Sequence, residues 1–225
     1  MPDVTQMVKH TKVRAVLDYP ALFSGIRFLL IGSQRETRHR LTALLQRQGP
    51  SHVLDVCCGV GDFAGLVEAE YIGIDLNERF ISLAKRRFAT SARKQFQVED
   101  ATQMRYPEGT FDTTLYLNCM HHFPTDLVRG MLREITRVTK HQVLVLDLEP
   151  TKGHWLQRFV MACDRGDYVR PMKEQRQLLE EFLEIDDAVV YPMGLTVQTL
   201  FTCRPKGGAT LAEQAQRSAA LPVNT

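Results

Sequence analysis

The sequence predicts a doubly wound α/β domain with a mostly parallel sheet, on three observations. Residues 53–64 read VLDVCCGVGDFA, where an apolar, β-branched run typical of a buried parallel strand precedes a glycine-hinged turn. Further apolar runs that end in a polar residue follow at 71–75, 96–100 and 111–118. Helical spacing of apolar residues between these runs is typical of βαβ units.

The residues around the glycine turn indicate its ligand. Residues 59–64 fit the G-x-G-x-x-G/A fingerprint, so a nicotinamide or flavin cofactor is one candidate. Asp55 and Asp62 bracket the turn, however, and their charges would repel a pyrophosphate at the helix N-terminus that Asp62 is predicted to cap. S-adenosylmethionine has a sulfonium, an amine and two ribose hydroxyls but no phosphate. The acids therefore favour S-adenosylmethionine.

The next two strands supply further acids. Residues 71–74 are apolar and end in Asp75, which is placed to accept both ribose hydroxyls. Asn77 then predicts the N-cap of a helix through residue 88. Residues 96–98 predict a third strand, after which Asp100 is positioned to accept the adenine amino group.

These motifs in this order resemble a known family. VLDVCCGVG, YIGID, VEDA and FDTTLYLNCMHHF are similar to the motifs of class I S-adenosylmethionine-dependent methyltransferases, over roughly residues 50–203. The DVCCGVGD wording is also similar to quinone-biosynthesis methyltransferases. Cys57 stands where that family has its first glycine. The resemblance implies a Rossmann-like, seven-stranded sheet whose last strand is antiparallel, and S-adenosylmethionine as the cofactor.

The resemblance also implies which residues form the cofactor site. The methionine portion is expected at the glycine turn, the ribose at the end of the second strand and the adenine at the end of the third. The cofactor-binding residues are then Asp55, Cys57, Gly59, Gly61, Asp75, Leu76, Asp100, Ala101 and Asn118.

The loop after the fourth strand holds two adjacent histidines. Ligands of open α/β sheets sit outside the carboxyl ends of the strands, so this loop is expected to face the transferred methyl. His122 is the favoured general base and His121 its substitute, against the alternative that both merely pack or cap the next helix. Asp147 interrupts the apolar fifth strand, 142–148, and is predicted either to face the site or to be hydrogen-bonded near the strand end.

Residues 1–49 form a basic segment before the fold proper. They carry eight Lys or Arg against three acids, a net +5, whereas the remaining residues carry 20 against 23. A helix over 34–46 is predicted as a lid, in contact with an apolar or membrane-surface substrate, or as a helix packed on the sheet with a solvated basic face. The resemblance makes Tyr19 and Phe23 lid contacts.

The segment after the fifth strand is the candidate substrate wall. Residues 149–172 combine aromatics with mixed charge, and His154 and Tyr168 are the substrate-contact candidates, although part of the segment is expected to pack on the core as a helix. A helix over 174–182 and strands at 188–191 and 195–203 complete a domain of residues 50–204. Residues 205–225 are predicted as a flexible tail.

Composition limits the other classes of function. A net charge of +2 gives no overall argument for nucleic acid, and neither a secretory segment nor an uncharged membrane span is expected. Five cysteines without metal spacing indicate reduced thiols in the cytoplasm and no metal site. The oligomeric state is not readable from these residues.

The sequence thus predicts a methyltransferase acting on a small molecule. Oxygen, nitrogen and carbon acceptors all remain open, as does an apolar or lipid-like acceptor. The alternatives are a nicotinamide-dependent oxidoreductase and a protein that binds S-adenosylmethionine without turnover. A nucleic-acid methyltransferase is disfavoured because the fourth strand ends in LNCMHH and not in a DPPY-type tetrad.

Overall fold

A seven-stranded sheet forms the centre of the part of the chain that the structure describes. The structure, a computed structural model, describes residues 34–150, 168–194 and 196–206. The strand order is β3-β2-β1-β4-β5-β7-β6, with β7 antiparallel to both of its neighbours and the other pairings parallel. The strands are β1 (His52–Val56), β2 (Glu70–Asp75), β3 (Lys94–Val98), β4 (Phe111–Leu117), β5 (Thr139–Leu148), β6 (Leu183–Met193) and β7 (Thr196–Pro205). The predicted mixed seven-stranded sheet is confirmed.

Helices cover both faces of the sheet. On one face, α3 and α4 contribute Val128, Leu132 and Leu178 to a cluster that includes Val56 and Val145 of the strands. On the other, α1 and α2 pack against alternate residues of the same strands. Burial of both faces explains why six of the seven β4 residues are buried and why β5 has a long apolar run. The helices are α1 (Arg35–Gln48), α2 (Glu78–Arg87), α3 (Thr125–Val138) and α4 (Met172–Leu179).

The predicted cap of α2 is confirmed. The Asn77 side chain accepts hydrogen bonds from the backbone N–H groups of Arg79 and Phe80, at 3.0 and 3.3 Å. Three basic residues in its last turn complement the negative end of the helix dipole. Local sequence therefore suffices to begin this helix directly beyond the carboxyl end of β2.

The prediction of an α-helix after the glycine turn is wrong. A short 3-10 turn, Ala64–Leu66, stands there, because only residues 57–69 separate β1 from β2. A crossover between parallel strands needs a dozen residues or more, which leaves no room for a full helix after the turn itself. Phe63, and not Asp62, stands at the N-cap of this turn, and the Asp62 carboxylate pairs with Arg87 at 3.0 Å.

Helix α1 packs on the sheet, which is one of the two alternatives that the sequence predicts for it. Leu41 and Leu45 are buried, and the Thr37 hydroxyl lies 3.0 Å from the Tyr191 hydroxyl of β6. Arg38 donates to the carbonyl of Asp62 at 2.7 Å, which ties the helix to the glycine turn. The helix predicted as a lid is thus described and packs on the sheet, whereas its predicted lid contacts Tyr19 and Phe23 fall outside the described ranges and stay predictions.

Strand β6 begins five residues before its predicted start. It runs antiparallel to β7 from Leu183 onward, with a register shift between Ile185 and Asp187. This edge strand is half-exposed and carries two adjacent acids at the bulge, so its alternation is broken in the sequence. Helix α4 correspondingly ends at Leu179 and not at residue 182. Strand β7 extends to Pro205, and the rest of the predicted tail, 207–225, lies outside the described residues.

The strand order places a crevice at the carboxyl ends of β1 and β4. From β1 the chain winds outward to β2 and β3 on one side and then to β4 and β5 on the other. Such a switch point leaves a gap between loops that turn in opposite directions. Within the described ranges, no helix has the length and apolar character needed to cross a bilayer.

Candidate functional site

A pocket of about 200 Å³ opens at this crevice. The loops after β1, β2, β3 and β4 all contribute to it, so its wall is assembled from four separate segments. The predicted site residues that line it are Asp55, Cys57, Gly59, Asp75, Leu76, Ala101, Asn118 and His122. The pocket also has lining residues that the sequence analysis did not assign to a site, among them Glu99, Asp62, Phe63, Phe80, Phe123 and Met131.

The turn after β1 is left-handed at three positions. Gly59 has φ +56° and Gly61 has φ +76°, values that glycine adopts freely. Cys57, at the position where the resembled family has glycine, also has a positive φ of 60°. A cysteine side chain in this conformation is strained by about 1–2 kcal/mol. The departure from the motif therefore has a structural cost.

We expect a Cys57→Gly variant to be more stable than the wild type by about 0.5–1 kcal/mol. The variant relieves the left-handed strain, and the extra freedom of glycine in the unfolded chain offsets part of that gain. Urea denaturation at one pH measures the difference. Cys57→Ala is the matched control, since it removes the thiol and keeps the Cβ, and it should show no gain. Equal gains in both variants would contradict the explanation.

Asp75 organises the turn and the start of α2 together. Its Oδ2 accepts from the backbone N–H of Gly59 at 3.0 Å, and its Oδ1 accepts from that of Asn77 at 2.8 Å. Burial raises the pKa of this carboxyl, and the two backbone hydrogen bonds oppose the rise. Each oxygen keeps a second lone pair, so the carboxylate can also accept from a ligand.

Asp55 is a buried acid on β1. Its side chain accepts a hydrogen bond of 2.7 Å from the Tyr71 hydroxyl. Burial raises the pKa of Asp55 to about 7, against the hydrogen bond from Tyr71, and the charges of Asp75 and Asp62 raise it further. The pocket thus holds an acid that titrates near neutrality in the absence of a ligand.

The acidic residues of the pocket wall are not balanced by lysine or arginine among its described lining residues. Four carboxylates line it, those of Asp55, Asp62, Asp75 and Glu99, and the described lining residues include neither lysine nor arginine. Arg87 pairs with Asp62, and Arg105 pairs with Glu99 at 3.0 Å, both from outside the lining. Such a wall attracts a cationic ligand and repels a phosphate.

Comparisons with known proteins find similarity to methyltransferases. Residues 53–142 match the family described as methyltransferase domain. A demethylmenaquinone methyltransferase from Symbiobacterium thermophilum is 29% identical over 155 residues, 64% of this chain and 61% of that protein. Phosphoethanolamine N-methyltransferase 1 from Arabidopsis thaliana is 34% identical over 106 residues, 45% of this chain and 21% of that protein. The chain therefore spans about three fifths of the first relative and about one fifth of the second.

A solved methyltransferase structure has a similar fold. Magnesium protoporphyrin IX methyltransferase from Synechocystis with bound SAH matches with a TM-score of 0.65 and 18% identity, over 85% of this chain and 98% of that chain. Residues 53–142 are thus similar to a methyltransferase domain, and the fold of the described residues is that of the solved methyltransferase structure.

Three predicted site residues stand behind the wall of the pocket. Gly61 packs against aromatic rings, and His121 is buried beneath His122. Asp100 accepts from the backbone N–H and the hydroxyl of Thr102, at 2.8 and 2.7 Å, and thereby closes the turn after β3. Its neighbour Glu99 reaches the pocket wall. The role of Asp100 toward adenine stays a prediction.

The structure describes one of the two substrate-contact residues predicted in the segment after β5. Tyr168 is described, and its backbone N–H donates to the carbonyl of His121 at 3.1 Å, so it lies beside the turn after β4. His154 falls outside the described residues. Arg170 was not predicted by the sequence; its guanidinium is buried against the same turn. A charged residue in a polar segment gives no sequence signal of burial.

The described part of the chain contains no group of three or more His, Cys, Asp or Glu side chains arranged to hold a metal ion. Its four described cysteines are free thiols, of which Cys57, Cys58 and Cys119 line the pocket. Burial raises the pKa of the Cys119 thiol well above its ordinary value. This thiol therefore acts as a small apolar group in the wall.

Proposed function

We propose that this protein binds S-adenosylmethionine in the pocket at the carboxyl ends of β1 and β4 and transfers its methyl group to a small molecule. The observation that carries the proposal is the wall of four carboxylates without a basic residue among the described lining. The sulfonium and the amine of S-adenosylmethionine are positive and it has no phosphate, so its charge is complementary to this wall.

The residues present fit the parts of the cofactor. Asp75 has lone pairs left for the two ribose hydroxyls, and Gly59 has no atom within 4 Å of where a Cβ would stand, so a ligand can approach its backbone. Leu76 is 43% exposed beside Asp75 and offers an apolar face to the adenine ring. The Nδ2 atom of Asn118 is buried without a hydrogen-bond partner, which suits an acceptor atom of the ligand.

The chemistry demands little of the protein beyond placement. The sulfonium supplies an electrophilic methyl group, so the chain has to orient an acceptor in line with it and exclude water. His122 is exposed and lines the pocket next to Asn118, which suits a base that contacts the acceptor. The free thiols of the described residues suit a reducing compartment, and we place the enzyme in the cytoplasm.

The acceptor is a small molecule, and the two relatives differ in theirs. One is named for demethylmenaquinone and the other for phosphoethanolamine. The described lining contains no lysine or arginine to hold a phosphate, which favours the quinone-like acceptor. Such an acceptor is apolar, and the basic N-terminal segment then offers a route to contact with a membrane surface.

A nicotinamide-dependent oxidoreductase is the weaker alternative. Its cofactor would place a pyrophosphate at the glycine turn, where Asp55, Asp62 and Asp75 converge. The turn is also followed by a 3-10 turn and not by an α-helix, so the helix dipole that favours a pyrophosphate is missing at this place.

Calorimetry with S-adenosylmethionine and with NADH tests the proposal. We expect S-adenosylmethionine to bind at micromolar affinity and NADH not to bind. Asp75→Ala should weaken the binding about 100-fold, because charge-assisted hydrogen bonds to the ribose are lost. Asp126→Ala is the matched control, since the Asp126 side chain is 96% exposed on α3, and it should leave the affinity unchanged. Tight binding of NADH with no binding of S-adenosylmethionine would establish the alternative.

A further inference from the structure

The 3-10 turn Met120–His122, which presents His122 to the pocket, is held from behind by a buried carboxylate. Asp147 of β5 accepts from the backbone N–H of His121 through Oδ2, at 3.0 Å, and contacts the His121 ring nitrogen Nδ1 through Oδ1. Oδ1 also accepts from the backbone N–H of Leu148 at 2.8 Å. Asp147 and His121 are both at most 5% exposed. One carboxylate thus fixes both the backbone and the ring of His121.

A buried guanidinium holds the two ends of the same turn. Arg170 donates to the carbonyl of Met120 at 3.0 Å and to that of Phe123 at 2.9 Å. It also donates to the carbonyl of Tyr168 at 2.9 Å and to the Thr125 hydroxyl at 3.2 Å. The turn is therefore pinned at its ends by Arg170 and in its middle by Asp147. Its geometry is fixed before any acceptor binds.

The two histidine rings stand one behind the other. Their centroids are 4.0 Å apart, with 51° between the ring planes. His121 is buried against Asp147, whereas His122 is exposed and lines the pocket. A proton accepted by His122 would therefore place a positive charge one ring away from a buried carboxylate.

This arrangement has a consequence for the class of acceptor. A neutral amine attacks a methyl sulfonium through its own lone pair and needs no base in that step. A hydroxyl or an acidic C–H needs one, and the positive charge then passes from the sulfonium to the base. A buried carboxylate is costly unless it is paired, and here its partner is the imidazole directly behind the pocket.

We infer that the acceptor is a hydroxyl or an acidic carbon that loses a proton to His122, and that His121 and Asp147 are positioning residues for this step. The O–H or C–H bond breaks as its proton passes to an imidazole nitrogen of His122. The freed electron pair bonds to the methyl carbon, and the pair of the breaking C–S bond stays on sulfur, giving neutral S-adenosylhomocysteine. The inference rests on the proposed function and deepens it.

Steady-state kinetics with two matched probe acceptors tests the inference. The probes are 1,4-dihydroxynaphthalene, which offers hydroxyl and ring-carbon acceptors, and 1-aminonaphthalene, which offers an amine on the same ring system. We expect the wild type to methylate the first and not the second. His122→Gln should lower kcat about 100-fold or more, and Asp147→Asn roughly 10- to 100-fold. In Asp147→Asn, KM and the affinity for S-adenosylmethionine should stay within about 3-fold, since Asp147 is not among the described residues that line the pocket.

The matched control is Asp112→Asn. Asp112 also accepts from two backbone N–H groups, those of Ser51 and His52, but at the amino end of the sheet. It should lose stability as Asp147→Asn does and keep its kcat. Equal kcat losses in the two variants, or methylation of the amine in preference to the hydroxyl, would overturn the inference.

Nitrogen-15 spectra of the imidazoles give a second readout that needs no acceptor. In the complex with S-adenosylmethionine, Asp147→Asn should move the ring resonances of both His121 and His122, whereas Asp112→Asn should move neither. Unmoved resonances in Asp147→Asn overturn the inference even if no probe is methylated. Failure of the wild type to bind S-adenosylmethionine would instead overturn the proposed function, so the two failures are distinguishable.

Discussion

At pH 8, an Asp55→Asn variant is expected to be more stable than the wild type and to bind S-adenosylmethionine more weakly. Asp55 is buried on β1, and its pKa in the folded protein is raised to about 7, mainly by burial. An asparagine has nearly the same shape, can still accept the hydrogen bond from Tyr71, and carries no charge. The substitution therefore removes the cost of a buried carboxylate.

The direction of the pH dependence follows from proton uptake. The unfolded carboxyl has a pKa of about 3.8, so between pH 4 and 7 the folded chain holds a proton that the unfolded chain has released. Stability from this group is fully present below about pH 4 and is lost as the pH rises through 7. The loss is on the order of 4 kcal/mol, from about 3 pKa units at 1.36 kcal/mol each.

Thermal denaturation at pH 5 and pH 8 measures this effect. The Tm of Asp55→Asn relative to wild type should rise between the two values, and the stability of the variant should depend less on pH over that range. A Tm difference that is the same at both pH values would contradict the explanation. Asp126→Asn is the matched control, because that exposed acid should give no such change.

Asp55→Asn should weaken cofactor binding, although it stabilises the fold. The cationic cofactor favours ionised Asp55, so at pH 6 its binding to the wild type should release close to one proton, and at pH 8 almost none. Asp55→Asn should abolish the proton release at pH 6 and lower the affinity at pH 8 by roughly 10-fold. Calorimetry in two buffers with different ionisation enthalpies measures the protons released. If proton release persists in Asp55→Asn, another group releases the proton. The candidates are Asp75 and Asp62, whose charges act on Asp55.

Gly61→Ala is expected to lose about 3 kcal/mol of stability. Gly61 has φ +76°, and a Cβ there would stand 2.9 Å from the Phe96 ring and 3.1 Å from the Phe88 ring. Those rings pack on each other with centroids 5.5 Å apart, and Phe96 also packs on Tyr71, so they have little freedom to move aside. Left-handed strain contributes about 1–2 kcal/mol, and overpacking contributes a similar amount.

Gly49→Ala is the matched control for the steric part of this loss. Gly49 ends α1 with φ +60°, but no atom lies within 4 Å of its Cβ position. Its alanine variant should lose only the strain, about 1 kcal/mol. Urea denaturation of both variants measures the two losses. Equal losses in the free energy of unfolding would show that the Phe88 and Phe96 rings move aside for the added Cβ without loss of stability.

The elements with strong local signals were predicted from the sequence. The residue types at the carboxyl ends of β1, β2 and β4 indicated a site. These are the glycine turn after β1, Asp75 at the end of β2 and Asn118 directly after β4. The cap at Asn77 was also readable, because a cap depends on residues two and three positions away. The carboxyl ends of parallel strands share one edge of a sheet, so these local signals were enough to predict eight of the nineteen described residues that line the pocket.

Other features depended on contacts between distant segments. The length of the loop after β1 excluded the helix predicted there, and pairing with β7 extended β6 through a stretch whose own pattern is broken. The choice between the two readings of Asp147 also required the fold, since its partner His121 lies 26 residues away in sequence. Arg170 reaches Met120 across 50 residues.

The sequence by itself determined the succession of β1 to β4 along the chain, the acidic character of the glycine turn and the resemblance to a methyltransferase family. Only the tertiary structure decided which acids are buried, which of two adjacent histidines faces the pocket, and which residues hold it there. The physical reason is that hydrogen bonding within a few residues is set by backbone geometry, whereas the burial and pairing of a charge depend on what the rest of the chain packs around it.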